Sequence, residues 1–235
     1  MTDISVLSGG APKEALLILT PEFEQRNGHR VKYTYAVISE IQKKLAAGEK
    51  PDMVFMPVGA IDGLVKAGTL RAAPRGVLGS VGIGVIVRAG APHPDISTPE
   101  AFKNALLKAR SVVHANPNAT PSGVHLDKVE QQLGIAEALK PKLTLSNALD
   151  GGVQRITSGE AEIGIYPVSE VIAVKGIALV GLLPPALQSL IVYGAGVLVA
   201  SAAAAPAAAF ISFLTDPAHR AVWTQAGFEP PQART

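Results

Sequence analysis

The chain has 235 residues, 48% of them hydrophobic, 17% charged and 5% aromatic, with a formal net charge of +2. That length and apolar content support buried cores and exclude a disordered chain, and the small charge, with no basic block, argues against a nucleic-acid partner. The absence of cysteine excludes disulfides and thiolate metal sites; the histidines show no HxH or HExxH spacing and no P-loop or GxGxxG occurs, so neither metal nor cofactor is expected.

Residues 4–7 predict a strand, Ser8-Gly9-Gly10 a turn, and Ala11-Pro12-Lys13-Glu14 a first helical turn in which the missing N–H of Pro12 costs nothing. A strand that turns through small residues into a helix leaves several N–H groups pointing into one space. Those donors and the positive helix end favour a negatively charged guest, the alternative being an ordinary loop that binds nothing. Residues 31–35 alternate as a strand, 39–47 follow as a helix closed by Gly48, 53–56 form a buried strand halted by Pro57, and 60–67 a helix closed by Gly68. Such alternation with short links implies a mostly parallel sheet. Residues 81–87 then read as a glycine-bearing strand, 88–95 as a loop, and Ser97-Thr98-Pro99-Glu100 as a helix start with Ser97 or Thr98 as N-cap. The pattern repeats with a strand over 111–114, a loop to 121, a helix over 122–133 closed by Gly134, a strand over 143–145, a helix over 152–158 and a strand over 162–166. A second glycine-bearing strand, 191–200, precedes an alanine-rich helix over 205–214 with Ser201 as its cap, and a last helix spans 217–226. The apolar stretch 182–213 is broken by Pro184, Pro185, Gln188 and Ser189, so no membrane insertion is expected.

The two glycine-bearing runs divide the chain into thirds. They suggest one lobe made of residues 1–82 and 193–235 and an inserted lobe over 83–192, joined by two crossing strands with a cleft between. In open α/β sheets ligands sit beyond the carboxyl ends of strands. The loops at such ends are Ser8-Gly9-Gly10, Ala36-Val37-Ile38-Ser39, Thr120-Pro121-Ser122-Gly123 and Asp150-Gly151-Gly152, each read as preceding a helix. Glycines there clear side chains from backbone N–H groups that can reach an anion.

In this order, Ser8-Gly9-Gly10-Ala11 and the stretch Ala47-Gly48-Glu49-Lys50-Pro51-Asp52-Met53-Val54-Phe55 resemble the periplasmic molybdate-binding proteins of ABC importers. In that family the first strand ends in a small-residue and serine loop, and a GxPADV-like stretch follows the second helix. Pro121-Ser122-Gly123-Val124 resembles their second anion loop, Glu162-Ile163-Gly164-Ile165 with Ser169-Glu170 their LGI…SD strand, and Ala226-Gly227-Phe228 their terminal YGF. The resemblance covers nearly the whole chain and is carried by order and spacing. It implies an α/β, two-lobed, type II periplasmic-binding-protein fold with mixed sheets, flanking helices and a hinged interlobe cleft. It also implies capture of a small oxyanion or carboxylate for ABC-type transport or sensing, by a monomer working with an ABC permease. The location it implies is periplasmic if a leader has been removed, and cytoplasmic if the chain is full length. The implied ligand-binding positions are Ser8, Gly9, Gly10, Ala11, Val37, Ile38, Ser39, Thr120, Pro121, Ser122, Gly123, Leu149 and Tyr166.

Two departures bear on the ligand. Ile38 falls where the family offers a hydroxyl, and the family's later tyrosine falls at Pro167, with Tyr166 beside it. Each lost hydroxyl removes about 1–3 kcal/mol from a charged hydrogen-bond set, so the cleft suits a larger organic anion such as a carboxylate. Aconitate isomerases are similar at this level and supply the rival reading, isomerisation of a small tricarboxylate. That chemistry needs a base within hydrogen-bond reach of a carbon-bound proton. His114, Glu170 and Tyr166 are the candidates, with packing or capping as the other reading of His114 and a favourable charge at a helix start as that of Glu170. His125 reads as structural, Arg155 as a carboxylate contact or a solvated helix face, and Tyr193 as hinge packing or cleft lining. Lys13 follows residues that faintly resemble a phosphate loop but lack its GKS/T ending. Because every base candidate carries a structural alternative, a receptor without turnover is the primary expectation.

Overall fold

The computed structural model describes residues 2–150 and 152–231. In chain order the elements are β1 (Asp3–Ser8), α1 (Lys13–Asn27), β2 (Arg30–Tyr35), α2 (Ile38–Ala46), β3 (Met53–Pro57), α3 (Val58–Lys66), β4 (Leu70–Val81), β5 (Ile83–Arg88), α4 (Pro99–Lys108) and β6 (Val112–Ala115). They continue with α5 (Pro121–Gln132), α6 (Ala136–Leu139), β7 (Leu143–Ser146), α7 (Gln154–Thr157), β8 (Ile163–Pro167), α8 (Val168–Val171), β9 (Ile177–Leu182), β10 (Ile191–Leu198), α9 (Ala204–Leu214) and α10 (Arg220–Gln225). The chain divides into a first unit, Met1–Val81 with Ile191–Thr235, and a second, Gly82–Leu190.

The sheet of the first unit runs β2-β1-β3-β10-β4, with β1 parallel to β2 and β3 and β10 antiparallel to both its neighbours. Its central strands are apolar on both faces because helices cover both. Ile4, Val6, Met53 and Phe55 meet Leu16, Leu19, Phe23, Phe210 and Trp223 from α1, α9 and α10. Leu7, Val54 and Met56 face the other way, onto Ile38, Ile41, Leu45 and Ile61 of α2 and α3. Each such fully buried side chain contributes roughly 1.5–3 kcal/mol. Where β3 begins, the Asp52 carboxylate accepts from Ser5 N and Oγ, Ser201 Oγ and Ala203 N, tying β1, β3 and the start of α9 together.

The second unit repeats the plan. Its sheet runs β7-β6-β8-β5-β9, with β6 parallel to β7 and β8 and β5 antiparallel to β8 and β9. Val85, Val112, Ile163 and Ile165 pack on Phe102, Leu106, Leu126, Val129 and Leu139 of α4 to α6. Ile86, Val113 and Tyr166 pack on Val153, Ile156 and Val171 of the opposite layer. Strand for strand, β6 stands where β1 stands, β7 where β2, β8 where β3, β5 where β10 and β9 where β4.

Gly48, Gly68 and Gly134 close α2, α3 and α5 with φ of +90°, +73° and +67°, as their sequence positions suggest. Thr98, not Ser97, caps α4 by accepting from Ala101 N. Other expectations change. The run 81–87 is two strands parted at Gly82, and Pro57 completes β3 instead of halting it. β5 lies wholly in the second unit and β10 wholly in the first, so the chain passes between units at 81/82 and 190/191, not within those strands. The N-cap of α9 is Ala203; Ser201 acts from two residues earlier, accepting from Ala203 N and donating to Asp52. Two strands unforeseen from the sequence, β4 and β9, form sheet edges, where Pro74, Gly76 and Gly79 in β4 and the half-buried β9 obscure the alternation. Among the described residues no helix is long and apolar enough to cross a membrane.

Candidate functional site

In the first unit β1 ends at Ser8, which is fully buried and donates its hydroxyl to Gly9 O at 2.8 Å. Gly9 N donates to Phe55 O and Ala36 N to Ser8 O, stitching the β1–α1 loop to β3 and to the start of the β2–α2 loop. A Cβ on Gly9 would stand 2.9 Å from Ile38 Cδ1 and 3.7 Å from the Tyr193 ring, so no side chain fits there unless Ile38 shifts. α1 starts behind Pro12 and α2 behind Val37, neither with a side-chain cap. Among the described residues, nothing accepts from the N–H groups of Gly10, Ala11, Ile38 and Ser39. Four donors at two uncapped helix starts therefore stand at one edge of this sheet, where the helix dipoles favour negative charge. Lys13 lies 5.7 Å over the Tyr35 ring and adds a cation nearby.

In the second unit Thr120 caps α5, its Oγ1 accepting from Gly123 N at 3.1 Å and lying 3.0 Å from Ser122 Oγ. A Cβ on Gly123 would fall 2.6 Å from Ala115 O and from the carbonyl of Asn116, so the first turn of α5, which Pro121 opens, rests directly on that peptide. Ser122 is buried, and nothing among the described residues accepts from its N–H. The loop Asp150-Gly151-Gly152 does not open straight onto a helix. Gly151 lies outside the described residues, Gly152 N donates to Asp150 Oδ1, and α7 begins only at Gln154 and is a single turn. Leu149 is half-buried in the turn after β7.

Tyr166 is buried in β8; burial raises its phenol above the ordinary value, and the charges of Asp150 and Glu170 raise it further against Arg155. Glu170 on α8 is half-buried, and burial pushes its carboxyl up to about 8. Ser169, 1% exposed, has a buried hydroxyl with no partner among the described residues.

His114 is placed otherwise than a base requires. It is 1% exposed, with Nδ1 2.8 Å from Ala115 O and Nε2 2.8 Å from Oε1 of buried Glu130 on α5. Both ring nitrogens are engaged inside the unit, so His114 braces α5 on β6. Glu130 was not legible as its partner because the two are far apart in sequence. His125 Nε2 meets Leu187 O, a structural bond. Arg155 pairs with Glu160 on the surface. Tyr193 is buried in the first unit's core, its ring edge-on to Phe228 and close beneath Gly9. Among the described residues no three His, Asp or Glu side chains gather as a metal site. A groove of about 640 Å³ beside α4 lies at the opposite edge of the second sheet. Three of its polar groups are engaged within the unit, Thr98 with Ala101, Asp95 with Ser97 and Glu162 with Arg110.

Two sheets of three parallel strands with an antiparallel return, each with its polar loops at the carboxyl ends, make an architecture that can be matched with known proteins. The sequence pattern described as bacterial extracellular solute-binding protein matches residues 4–229. The chain belongs to the bacterial extracellular solute-binding proteins. This solute-binding protein is 31% identical over 242 aligned residues to an aconitate isomerase from Pseudomonas sp., covering 100% of the chain and 90% of that protein. It is 22% identical to the molybdate-binding protein ModA of Escherichia coli K12, over 96% of the chain and 88% of that protein. Its structure matches the periplasmic molybdate-binding protein of Azotobacter vinelandii with a TM-score of 0.82 at 20% identity, covering 97% of this chain and 100% of that one. The fold is that of the type II periplasmic binding proteins. Its relatives include both binding proteins and an isomerase, so the fold by itself does not choose between capture and turnover.

Proposed function

We propose that this solute-binding protein is the receptor of an ABC-type importer for a small organic carboxylate, with donors drawn from the β1–α1 and β2–α2 loops. The observation that carries the reading is the set of N–H groups at Gly10, Ala11, Ile38 and Ser39 that nothing among the described residues accepts from. Donors held open at uncapped helix starts are what an anion needs, and they require no catalytic group. Two features favour a carboxylate over a tetrahedral oxyanion. Ser8 donates its hydroxyl to Gly9 O, and position 38, where the resembled family offers a hydroxyl, holds Ile38 with its Cδ1 beside Gly9. The site is thus poorer in hydroxyl donors than an oxyanion site calls for. A thermal-shift screen with molybdate, tungstate, sulfate, phosphate, citrate and cis- and trans-aconitate tests this. A carboxylate at one hundred times its dissociation constant should stabilise the folded protein by about 2.7 kcal/mol. A shift with molybdate or tungstate alone would reverse the ligand assignment.

A second reading is favoured by the 31% identity to an aconitate isomerase together with the raised carboxyl of Glu170. A carboxylate with its protonation balanced near neutrality can take a carbon-bound proton and return it. Incubation with trans-aconitate while following the cis isomer decides between them. Turnover abolished by Glu170→Gln with binding retained would make the protein an isomerase, and absence of turnover would leave the receptor.

A further inference from the structure

The third strand of each unit ends alike. β3 closes on Met56-Pro57 and β8 on Tyr166-Pro167, the prolines have φ/ψ of −54°/137° and −54°/129°, and Val58 and Val168 open the helices that follow. The next two residues differ: Gly59-Ala60 in the first unit, Ser169-Glu170 in the second. The same junction therefore forms without a hydroxyl or a carboxyl, and Ser169 and Glu170 are additions to it that the backbone does not require.

Their place in the second unit is at the carboxyl edge of its sheet. β8 pairs in parallel with β6, His114 opposite Ile165, so the residues just beyond the two strands are roughly 5 Å apart across the sheet. Beyond β6 runs the loop to Thr120 and the open N–H of Ser122. Tyr166 feels the charges of Asp150, Glu170 and Arg155, which gathers these groups at one end of β8. Ser169, two residues past the end of β8, is 1% exposed, and its hydroxyl is bonded to nothing among the described residues. Native proteins leave few buried hydroxyls in that state, and one at the same sheet edge as the open N–H of Ser122 points to a ligand atom as its partner.

We propose that Ser169 and Glu170 are ligand contacts, Ser169 donating its hydroxyl to an anionic oxygen of the bound acid and Glu170 holding a second oxygen through its own carboxyl proton. The inference rests on the anion-capture reading. Burial keeps Glu170 protonated to about pH 8, which suits a donor to an anion, whereas an ionised carboxylate there would repel one. Tyr166, its phenol pushed above the ordinary range, stays protonated throughout, and Asp150 and Arg155 are the other charged groups around Tyr166 at this end of β8.

Isothermal titration of wild type, Ser169→Ala and Glu170→Gln with citrate, trans-aconitate and molybdate between pH 6 and 9 tests it. Wild-type affinity for the best-bound anion should fall about tenfold between pH 7 and 9. Glu170→Gln, which keeps a neutral donor, should hold its pH 7 affinity at pH 9. Ser169→Ala should lose about tenfold at every pH while the unliganded melting temperature stays unchanged. Comparing citrate and trans-aconitate with molybdate identifies whose oxygen is held. Variants matching wild type in affinity and pH profile overturn the proposal, and a pH 9 loss that persists in Glu170→Gln overturns the part given to Glu170. If wild type binds none of the anions, the capture reading itself falls and this inference with it.

Discussion

Both units thread five strands in the same spatial order, yet they finish their carboxyl edges in opposite ways. In the first, α1 and α2 carry no side-chain cap and the backbone keeps its donors open. In the second, Thr120 spends its hydroxyl on Gly123 N, the Ser122 hydroxyl pairs with Thr120, a single backbone donor at Ser122 stays open, and Ser169 and Glu170 add side-chain groups. One topology thus carries mostly backbone donors in one unit and mostly side-chain groups in the other. On the proposed reading, Ile38 can stand where a hydroxyl is expected because the open peptide groups beside it supply the donors.

The sharpest test of this contrast is glycine replacement in the two first loops. Gly123→Val drives a Cβ against the Ala115 and Asn116 carbonyls at 2.6 Å and is expected to cost roughly 3–5 kcal/mol, since backbone cannot yield. Gly9→Ala meets only the tip of Ile38 and should cost at most about 1 kcal/mol. Equal losses in urea unfolding would remove the distinction.

The residues preceding the third strands make the next comparison. Asp52→Ala removes an acceptor of four hydrogen bonds and should cost about 2–4 kcal/mol, while Glu162→Ala, whose partner is exposed Arg110, should cost under about 1 kcal/mol. Burial works to raise the Asp52 carboxyl, but bonds from Ser5, Ser201 and Ala203 outweigh it and hold the group below its ordinary 3.8. The stability it supplies is therefore complete above that value and lost as pH falls through the lowered one. Thermal melts of Asp52→Asn should show a flatter acid limb than wild type.

Glu170 gives the opposite sign. Its carboxyl is raised from 4.5 to about 8, so the folded protein holds a proton that the unfolded chain has released. Stability should decline between those values as pH rises, by at most about 1.4 kcal/mol per pH unit, and Glu170→Gln should abolish that decline in denaturant titrations. Finally, Thr120→Ala should cost about 1 kcal/mol as a lost cap. The reverse change, Val37→Ser, should stabilise the first unit by about 0.5–1 kcal/mol. It should also weaken anion binding, because the new cap occupies a donor that the ligand needs; unchanged affinity would take the α2 start out of the site.

Much of the fold was legible because local signals agree with the sheets: Gly48, Gly68 and Gly134 end helices with positive φ, and apolar runs such as 53–56 are buried on both faces. The edges were not. β4 holds Pro74, Gly76 and Gly79 within one strand, and such residues read as loop until β10 is seen to pair with them. The site divides in the same way. Gly9, Gly10 and Thr120 announce themselves as turn and cap residues, whereas Ser169-Glu170 after a proline reads as an ordinary helix start. Only the buried, unpartnered hydroxyl and the Gly59-Ala60 of the other unit give Ser169-Glu170 another meaning. His114 kept two readings because its deciding partner, Glu130, comes from the far end of α5.

The position of β10 between β3 and β4 has a consequence for synthesis. A chain growing from its N-terminus makes β3 and β4 early but must pass through all of 82–190 before the strand that joins them exists. The continuous second unit can complete its sheet as it emerges, while the first waits with an open edge on β3, which invites wrong pairing and makes closure slow. A product that stops before Ile191 would carry the second sheet complete but leave β3 and β4 of the first without the strand that lies between them.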